Sequence, residues 1–185
     1  MTLYRCFAWK QDARDGEPDT PLWCPTPFQG EGRHDNPDTY GCLYLADRPL
    51  SCVVEQFAAF RGQRLLPSML LRRGLPLALA RFEIPERTPF VDLDDPEVLV
   101  REQLRPSRVA TRERSVTQPQ ALTVFRRHRR VAGLRWWSVW EAQWVNTTLF
   151  DRAVPLLRQA QVEVLTLAHP AVEEAAEWFG LRPVK

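Results

Sequence analysis

The chain has 185 residues, 44% of them hydrophobic, which is enough to bury the core of one globular domain. Its net charge of +2 gives no general case for nucleic-acid binding, because such domains usually carry a clear basic excess. No apolar run approaches the ~20 residues of a membrane-spanning helix, and the opening MTLYRCFAWKQDARD, which includes Asp12 and Asp15, is too polar for a signal peptide. We therefore expect a cytoplasmic protein without membrane contact.

The distribution of sulfur and imidazole groups predicts no metal site. No two cysteines form a C-x-x-C pair and the histidines are scattered, so zinc binding is not expected. In a cytoplasmic chain the thiols should stay reduced. The cysteines are Cys6, Cys24, Cys42 and Cys52, and the histidines are His34, His128 and His169.

The first part of the chain predicts a strand, a long loop and a second strand. LYRCFAW is typical of a short strand, whereas residues 10–40 are rich in Pro, Gly, Asp and Thr and show no sustained period. A loop of that length in a compact domain is often functional or disordered. GCLYLA alternates with the period of a strand, which puts Tyr44 on the face opposite Leu43 and Leu45.

The segment DRPLSCVVEQFAAF predicts a helix with Asp47 as N-cap and Pro49 in the first turn. Its apolar residues recur at helical spacing, and at about 100° per residue Glu55 lies well away from the centre of their stripe. Glu55 is therefore not expected to be core filler. The stripe consists of Leu50, Val53, Val54 and Phe57.

The remainder of the chain mixes strands and helices without a regular βαβ rhythm, which predicts the α+β class with mostly antiparallel or mixed pairing. LPLALARFEI, PFVDL, GLRWWSVW, VNTTLF and VEVLTLA are strand candidates. DPEVLVREQL predicts a helix capped by Asp95 with Pro96 at its first position. Two further helix candidates are TQPQALTVFRRHRR and HPAVEEAAEWFG, the second ended by its glycine.

The positive charge is almost entirely arginine, since only Lys10 and Lys185 are lysines among the 25 basic residues. Arginine suits phosphate and carboxylate recognition, although a general composition bias is the simpler explanation for most of them. Arg33 is notable because it lies among glycines and turn formers. Arg5 opens the first strand, where a buried arginine is costly without an anion, so it is a candidate phosphate contact.

An ordered set of short motifs resembles the RES domain family, from about residue 4 to about residue 150. The motifs are Tyr4-Arg5, Gly32-Arg33 followed by Asn36 and a turn, LYLA with Tyr44, a helix bearing Glu55, and GLRWWSVW with Ser138 before NTTLF. His34 departs from the family, which often has an aromatic residue after the glycine–arginine pair. We accordingly predict a RES-like catalytic domain over residues 1–150, with residues 151–185 as a strand–helix extension packed on the same domain.

The resemblance implies both a fold and an activity. The fold would be similar to ADP-ribosyltransferase toxins, with two small, mostly antiparallel or mixed sheets forming a cleft flanked by helices. The activity would be cleavage of the nicotinamide–ribose bond of NAD⁺, as an NAD⁺ glycohydrolase or an NAD⁺ phosphorylase, by the toxin of a toxin–antitoxin pair. The usual partner in the family is an Xre-type helix-turn-helix antitoxin that covers the active site. NAD⁺ would be the substrate and inorganic phosphate a candidate co-substrate, with no further cofactor.

The chemistry of that reaction fits the residues that carry the resemblance. Cleavage expels neutral nicotinamide through a transition state with oxocarbenium character, so one carboxylate suffices where ordinary glycosidases need two. Glu55 would stabilise the developing positive charge and bind a ribose hydroxyl. Arg33 would clamp the pyrophosphate with Arg5 as a second contact, Tyr44 would stack on nicotinamide or ribose, and Ser138 would orient the ribose or Glu55.

Each of these residues has a simpler explanation when it is taken alone. Glu55 could be a solvated helix residue, Arg33 a loop cation, Ser138 a small residue among tryptophans and Tyr44 ordinary packing. A second class of function also stays open, that of a non-catalytic module that binds a nucleotide in the same cleft or nucleic acid through the Arg/Trp-rich residues 126–144. The sequence does not choose between water and phosphate as acceptor, nor does it exclude ADP-ribosylation of a protein.

Overall fold

Strands and helices follow one another irregularly in a computed structural model that describes residues 1–183. The predicted α+β class is confirmed, and the strand pairing is mixed, with β6–β7 and β3–β10 parallel. The strands are β1 Thr2–Ala8, β2 Cys42–Ala46, β3 Arg64–Leu65, β4 Leu71–Arg72, β5 Leu75–Glu83, β6 Phe90–Asp92, β7 Gly133–Trp137, β8 Val145–Phe150, β9 Arg158–Val164 and β10 Arg182–Pro183. The α-helices are α1 Pro49–Phe57, α2 Pro96–Arg101, α3 Pro106–Val109, α4 Arg114–Arg127 and α5 Pro170–Trp178.

The chain divides into two compact units, each assembled from segments that are not consecutive in sequence. The first unit comprises Met1, Cys24–Leu45 and Ile84–Leu157. The second unit comprises Thr2–Trp23, Ala46–Glu83 and the residues from Arg158 on.

The first unit contains four strands of a mixed eight-stranded sheet, in the order β2-β8-β7-β6, together with α2, α3 and α4, while β3 and β10 form a separate two-stranded sheet. Strands β7 and β8 pair antiparallel, and they approach so closely at Gly133 that a Cβ there would lie 2.0 Å from the carbonyl oxygen of Thr148. An aromatic cluster lies in the core of this unit, where the Tyr40 ring stacks on Phe125 at 4.4 Å and meets Phe150 edge-on at 4.8 Å. This core includes residues of strand β2 and helix α4, the two elements that hold the glycine–arginine loop described below.

The second unit is organised around β5, which pairs antiparallel with β1 along most of its length. Strand β4 pairs with the first residues of β5, and β9 pairs with Ala78–Glu83. Residues 77–80 of β5 are all buried, as expected for an apolar run covered on both faces. Helix α1 packs against β1 and α5. Helix α5 is capped by His169, which accepts a hydrogen bond from the Ala171 amide at 3.1 Å, and it ends before Gly180 at φ 63°.

The proposed N-cap of α1 is wrong by one residue. The N-cap residue is Arg48, in an extended conformation and without a side-chain cap, whereas Asp47 precedes the helix. The cause is Pro49, because the ring of a proline disfavours helical conformation in the residue before it. Asp95 immediately precedes Pro96 and does cap α2, accepting from the Glu97 amide at 2.8 Å.

Other element boundaries also differ from the sequence-based prediction. Helix α4 begins at Arg114, three residues before the predicted start, so that Pro119 lies inside it. Strand β7 ends at Trp137, which leaves Ser138 in the turn beyond the strand. Strand β9 is Arg158–Val164, about four residues earlier than the predicted VEVLTLA, and it pairs with Ala78–Glu83 of β5 along this length.

Cys42 and Cys52 are buried, whereas Cys6 and Cys24 are half-buried; the expectation of reduced thiols stays a prediction. Among residues 1–183, no helix has both the length and the apolar character that crossing a membrane requires.

Candidate functional site

The glycine–arginine loop of the first unit is organised by the carboxylate of Asp35, which is only 5% exposed. Oxygen Oδ2 accepts the backbone amides of Gly30 at 2.8 Å and Gly32 at 2.6 Å. Oxygen Oδ1 accepts the Tyr44 hydroxyl at 2.7 Å. Hydrogen bonds from several donors compensate a buried carboxylate for its lost hydration. Asp35 therefore fixes the backbone on either side of Glu31 and ties it to β2.

The first turns of α4 hold the same loop from the other side. The Thr117 hydroxyl donates to the Arg33 carbonyl at 2.5 Å, and the Gln118 side-chain amide donates to the carbonyls of Gly30 and Gly32, each at 2.9 Å. These bonds satisfy backbone acceptors that have no strand or helix partner. Thr117 and Gln118 lie near the start of α4, and their side chains point at the loop.

The guanidinium of Arg33 is held in place on two sides. Its Nη1 donates to the carbonyl of Val109 at 2.9 Å and to the carbonyl of Thr111. Its Cζ lies 4.5 Å from the centre of the Trp136 ring, a cation–π distance. Arg33 is thus a fixed, half-buried positive charge; its predicted role as a pyrophosphate clamp stays a prediction.

His34 behaves as a neutral aromatic ring in this environment. Burial, reinforced by the charge of Arg33, lowers the pKa of His34 to about 3. The ring meets Trp136 edge-on at 5.4 Å, and its Nδ1 lies 2.8 Å from the Thr148 hydroxyl, which also accepts from the Trp136 indole at 3.2 Å. The residue that departs from the family pattern therefore still supplies a buried ring beside Arg33.

Tyr44 is half-buried on β2, with Leu43 and Leu45 buried on the opposite face as predicted. Its hydroxyl accepts the His34 amide at 2.8 Å while donating to Asp35. Burial raises the pKa of Tyr44 well above its usual value, and the nearby Cys42 and Asp35 raise it further, so the hydroxyl stays a neutral donor. Because the hydroxyl is engaged within the loop, the ring is the part of Tyr44 suited to stack on a ligand.

Gly32 is required by close packing inside this loop. A Cβ added at Gly32 would lie 2.5 Å from both Asp35 Oδ1 and the Tyr44 hydroxyl oxygen. The backbone at Gly32 therefore approaches the Tyr44–Asp35 hydrogen bond more closely than any residue with a side chain could.

Ser138 is buried in the turn that follows β7, two residues after the tryptophan that contacts Arg33. Its amide donates to the Trp144 carbonyl at 2.8 Å, and its hydroxyl oxygen accepts the Trp140 amide at 3.1 Å. The guanidinium of Arg112 lies 4.4 Å from the Trp140 ring centre. Ser138 thus shapes the turn between β7 and β8, and its predicted part in orienting substrate stays a prediction.

The other two predicted site residues belong to the second unit. Glu55 lies on the exposed face of α1, whereas Val53, Val54 and Phe57 are buried, which confirms that it is outside the apolar stripe. Arg5 is 9% exposed on β1; its Nη1 donates to the Pro21 carbonyl and its guanidinium lies 5.3 Å from the Phe7 ring centre. The carbonyl and the ring offset part of the cost of burying Arg5.

Sequence reasoning missed Asp35, Thr117, Gln118 and Thr148 as parts of this site. The signal for Asp35 was local, because an aspartate shortly after two glycines commonly accepts backbone amides in a turn. The other three act through partners distant in sequence, so nothing near them indicated a role. Within residues 1–183 no group of three or more His, Cys, Asp or Glu side chains is arranged to hold a metal ion.

The fold and the arginine-bearing loop define an α+β protein in which a rigid loop carrying Arg33 is held by helix α4 and by Tyr44. The family model of the RES domain matches residues 2–172, and the chain therefore belongs to the RES domain family. The match contains every predicted site residue and continues beyond residue 150.

A solved structure shares this fold. A chain in the crystal structure of the M. tuberculosis MbcT-MbcA toxin-antitoxin complex matches with a TM-score of 0.64 and 21% identity, over 98% of this chain and 88% of that chain. No curated protein sequence matches the chain.

Proposed function

We propose that this protein degrades NAD⁺ by cleaving the bond between nicotinamide and ribose, and that it is the toxin of a toxin–antitoxin pair. The observation that carries the proposal is its membership of the RES family, with the arginine, tyrosine, glutamate and serine of the motifs at Arg33, Tyr44, Glu55 and Ser138. The rigidity of the loop around Arg33 supports it, because preorganised charges stabilise a transition state without reorganisation.

In the proposed reaction the bond from ribose C1′ to the nicotinamide nitrogen breaks, and nicotinamide leaves as a neutral base with the bonding electrons. Positive charge develops on the ribose, and the Glu55 carboxylate stabilises it. Arg33 binds the pyrophosphate and the Tyr44 ring packs on the nicotinamide or ribose. Water or inorganic phosphate then forms the new bond at C1′, and the attacking group loses a proton to solvent or buffer.

The proposed partner is an antitoxin of the Xre helix-turn-helix type that covers the site. The basis is the shared fold with a chain of the M. tuberculosis complex, whose structure contains a toxin and an antitoxin. Production of this protein alone should stop cell growth and deplete NAD⁺. Normal growth and NAD⁺ levels in cells that hold soluble, folded protein would contradict the toxin role.

The activity is tested by incubating purified protein with NAD⁺, with and without inorganic phosphate, and separating the products by chromatography. We expect release of nicotinamide, faster with phosphate, together with a phosphorylated ADP-ribose product. Equal rates and ADP-ribose alone would assign water as the acceptor. Absence of nicotinamide release by folded protein under both conditions would contradict the proposed activity.

A further inference from the structure

A concave site lies in the first unit, in a groove between α2, α3 and α4. Its volume is about 360 Å³, which is within the range of small-molecule binding sites. Val116, Gln120 and Arg127 line it from one face of α4, and Arg108 of α3 stands opposite. The glycine–arginine loop is bound instead by Thr117 and Gln118 of α4, so the groove and the loop use different residues of that helix.

The groove lies in the most basic part of the chain. Residues 101–130 contain nine arginines and only two acidic residues, although the whole chain has a net charge of +2. One of the two, Glu102, is buried with both oxygens bound, Oε2 by Arg127 at 2.8 Å and Oε1 by His128 at 2.9 Å. Arg108 is exposed and makes no ion pair with any residue in the range 1–183. The groove is therefore positively charged, because Glu102 balances the charge of Arg127 but not that of Arg108.

Apart from Glu102, the rest of the lining is uncharged and combines apolar surface with amide side chains and the hydroxyls of Ser115 and Thr123. Leu104 and Val116 provide apolar surface, and Gln103 and Gln120 provide amides that both donate and accept hydrogen bonds. Gln103 has φ 58°, a left-handed conformation that favours glycine. It closes the end of α2, where its amide donates to the Val100 carbonyl at 3.1 Å. A glutamine at this strained position places a polar side chain in the groove where a glycine would place none.

We propose that this groove binds a small organic phosphate of mononucleotide size. Arg108 and Arg127 contact the phosphate, because guanidinium groups match phosphate geometry. The apolar surface packs against a flat, uncharged group, and the amides of Gln103 and Gln120 bind its polar edge. Because the groove combines arginines with apolar surface, it should bind a phosphate ester with higher affinity than either free phosphate or an uncharged nucleoside.

The test is calorimetric titration of the full chain with AMP, adenosine and inorganic phosphate as probes. AMP should bind, with adenosine and phosphate at least about tenfold weaker, because each lacks one of the two recognised parts. The variant Arg108→Ala should weaken AMP binding by about tenfold or more, since a charge-assisted contact is lost. The matched control is Arg105→Ala, which removes a neighbouring exposed arginine that does not line the groove and should leave AMP affinity unchanged.

A second variant separates binding from folding. Gln103→Gly should raise the melting temperature, because glycine relieves the left-handed backbone, and should at the same time weaken AMP binding. An AMP affinity that is equal in the parent, Arg108→Ala and Gln103→Gly proteins would overturn the proposal, as would phosphate or adenosine binding as tightly as AMP.

Discussion

The Asp35 carboxylate accepts the Tyr44 hydroxyl at 2.7 Å through one oxygen while its other oxygen accepts two glycine amides. The glycine–arginine loop and strand β2 are thereby joined into one rigid element. The tyrosine hydroxyl has a structural task in this arrangement, and the proposed ligand contact is left to its ring.

Asp35→Asn should destabilise the protein by roughly 1.5–3 kcal/mol. The substitution replaces one carboxylate oxygen by an NH₂ group, which cannot accept the hydrogen bonds that the glycine amides and the Tyr44 hydroxyl donate to Asp35. Tyr44→Phe removes two hydrogen bonds, one accepted from the His34 amide and one donated to Asp35, and should cost about 1–3 kcal/mol. Urea unfolding measures both changes. The matched control is Asp38→Asn, an exposed aspartate in the same loop, which should stay within about 0.5 kcal/mol of the parent. Equal stability of the Asp35 and Asp38 variants would contradict the assigned role of Asp35.

Gly32→Ala should destabilise the protein by about 1–3 kcal/mol, because the new methyl group would overlap the Tyr44–Asp35 hydrogen bond. The same substitution in a Tyr44→Phe background should cost less, since the missing hydroxyl relieves one of the two overlaps. Unfolding free energies of the two single variants and the double variant form a double-mutant cycle. Strict additivity would show that the methyl group and the hydroxyl do not compete for the same space.

His34 should make the folded protein less stable in mild acid. Its folded pKa of about 3 is below the usual value near 6.5, so the unfolded chain takes up a proton first as the pH falls. Its contribution is therefore fully present above pH ~6.5 and is lost at about 1.4 kcal/mol per pH unit below it. His34→Phe keeps an aromatic ring but cannot titrate. Between pH 7 and pH 4.5 the parent should lose roughly 2–3 kcal/mol more unfolding free energy than the variant; identical pH profiles would exclude a buried neutral His34.

Glu55→Gln should leave NAD⁺ binding largely intact and lower turnover by on the order of 10²- to 10³-fold, because it removes charge stabilisation of the transition state. Folding should be unaffected, since Glu55 lies on the exposed face of α1. Glu174→Gln, an exposed glutamate on α5, is the control and should keep the parental rate. A folded Glu55→Gln protein that consumes NAD⁺ at the parental rate would remove Glu55 from the mechanism.

Local patterns in the sequence were sufficient for much of the fold. The alternation in β2, the apolar stripe of α1 that excludes Glu55, and the Asp95–Pro96 start of α2 are all visible within a few consecutive residues. Each depends on side-chain periodicity or on proline geometry, which operate over one or two turns of chain.

The features that could not be predicted depend on partners far along the chain. Helix α4 extends past its expected start, and its Thr117 and Gln118 bind a loop more than eighty residues earlier. The position of Ser138 beyond β7 is set by a turn closed on Trp144. The wrong N-cap at Asp47 has a local cause, because Pro49 keeps Arg48 out of the helical conformation and makes Arg48 the N-cap residue.

The interleaving of the two units sets an order of events during synthesis on the ribosome. Strand β9 must pair with β5, and α5 must pack on α1, before the unit that carries Glu55 is complete, and both elements follow Leu157. The unit that carries Arg33 and Ser138 requires residues only as far as Leu157 and can close earlier. Because chains fold progressively as they emerge, the unit that carries Glu55 is the last to be completed. A nascent chain therefore completes the unit that carries Arg33 before the unit that carries the proposed catalytic carboxylate.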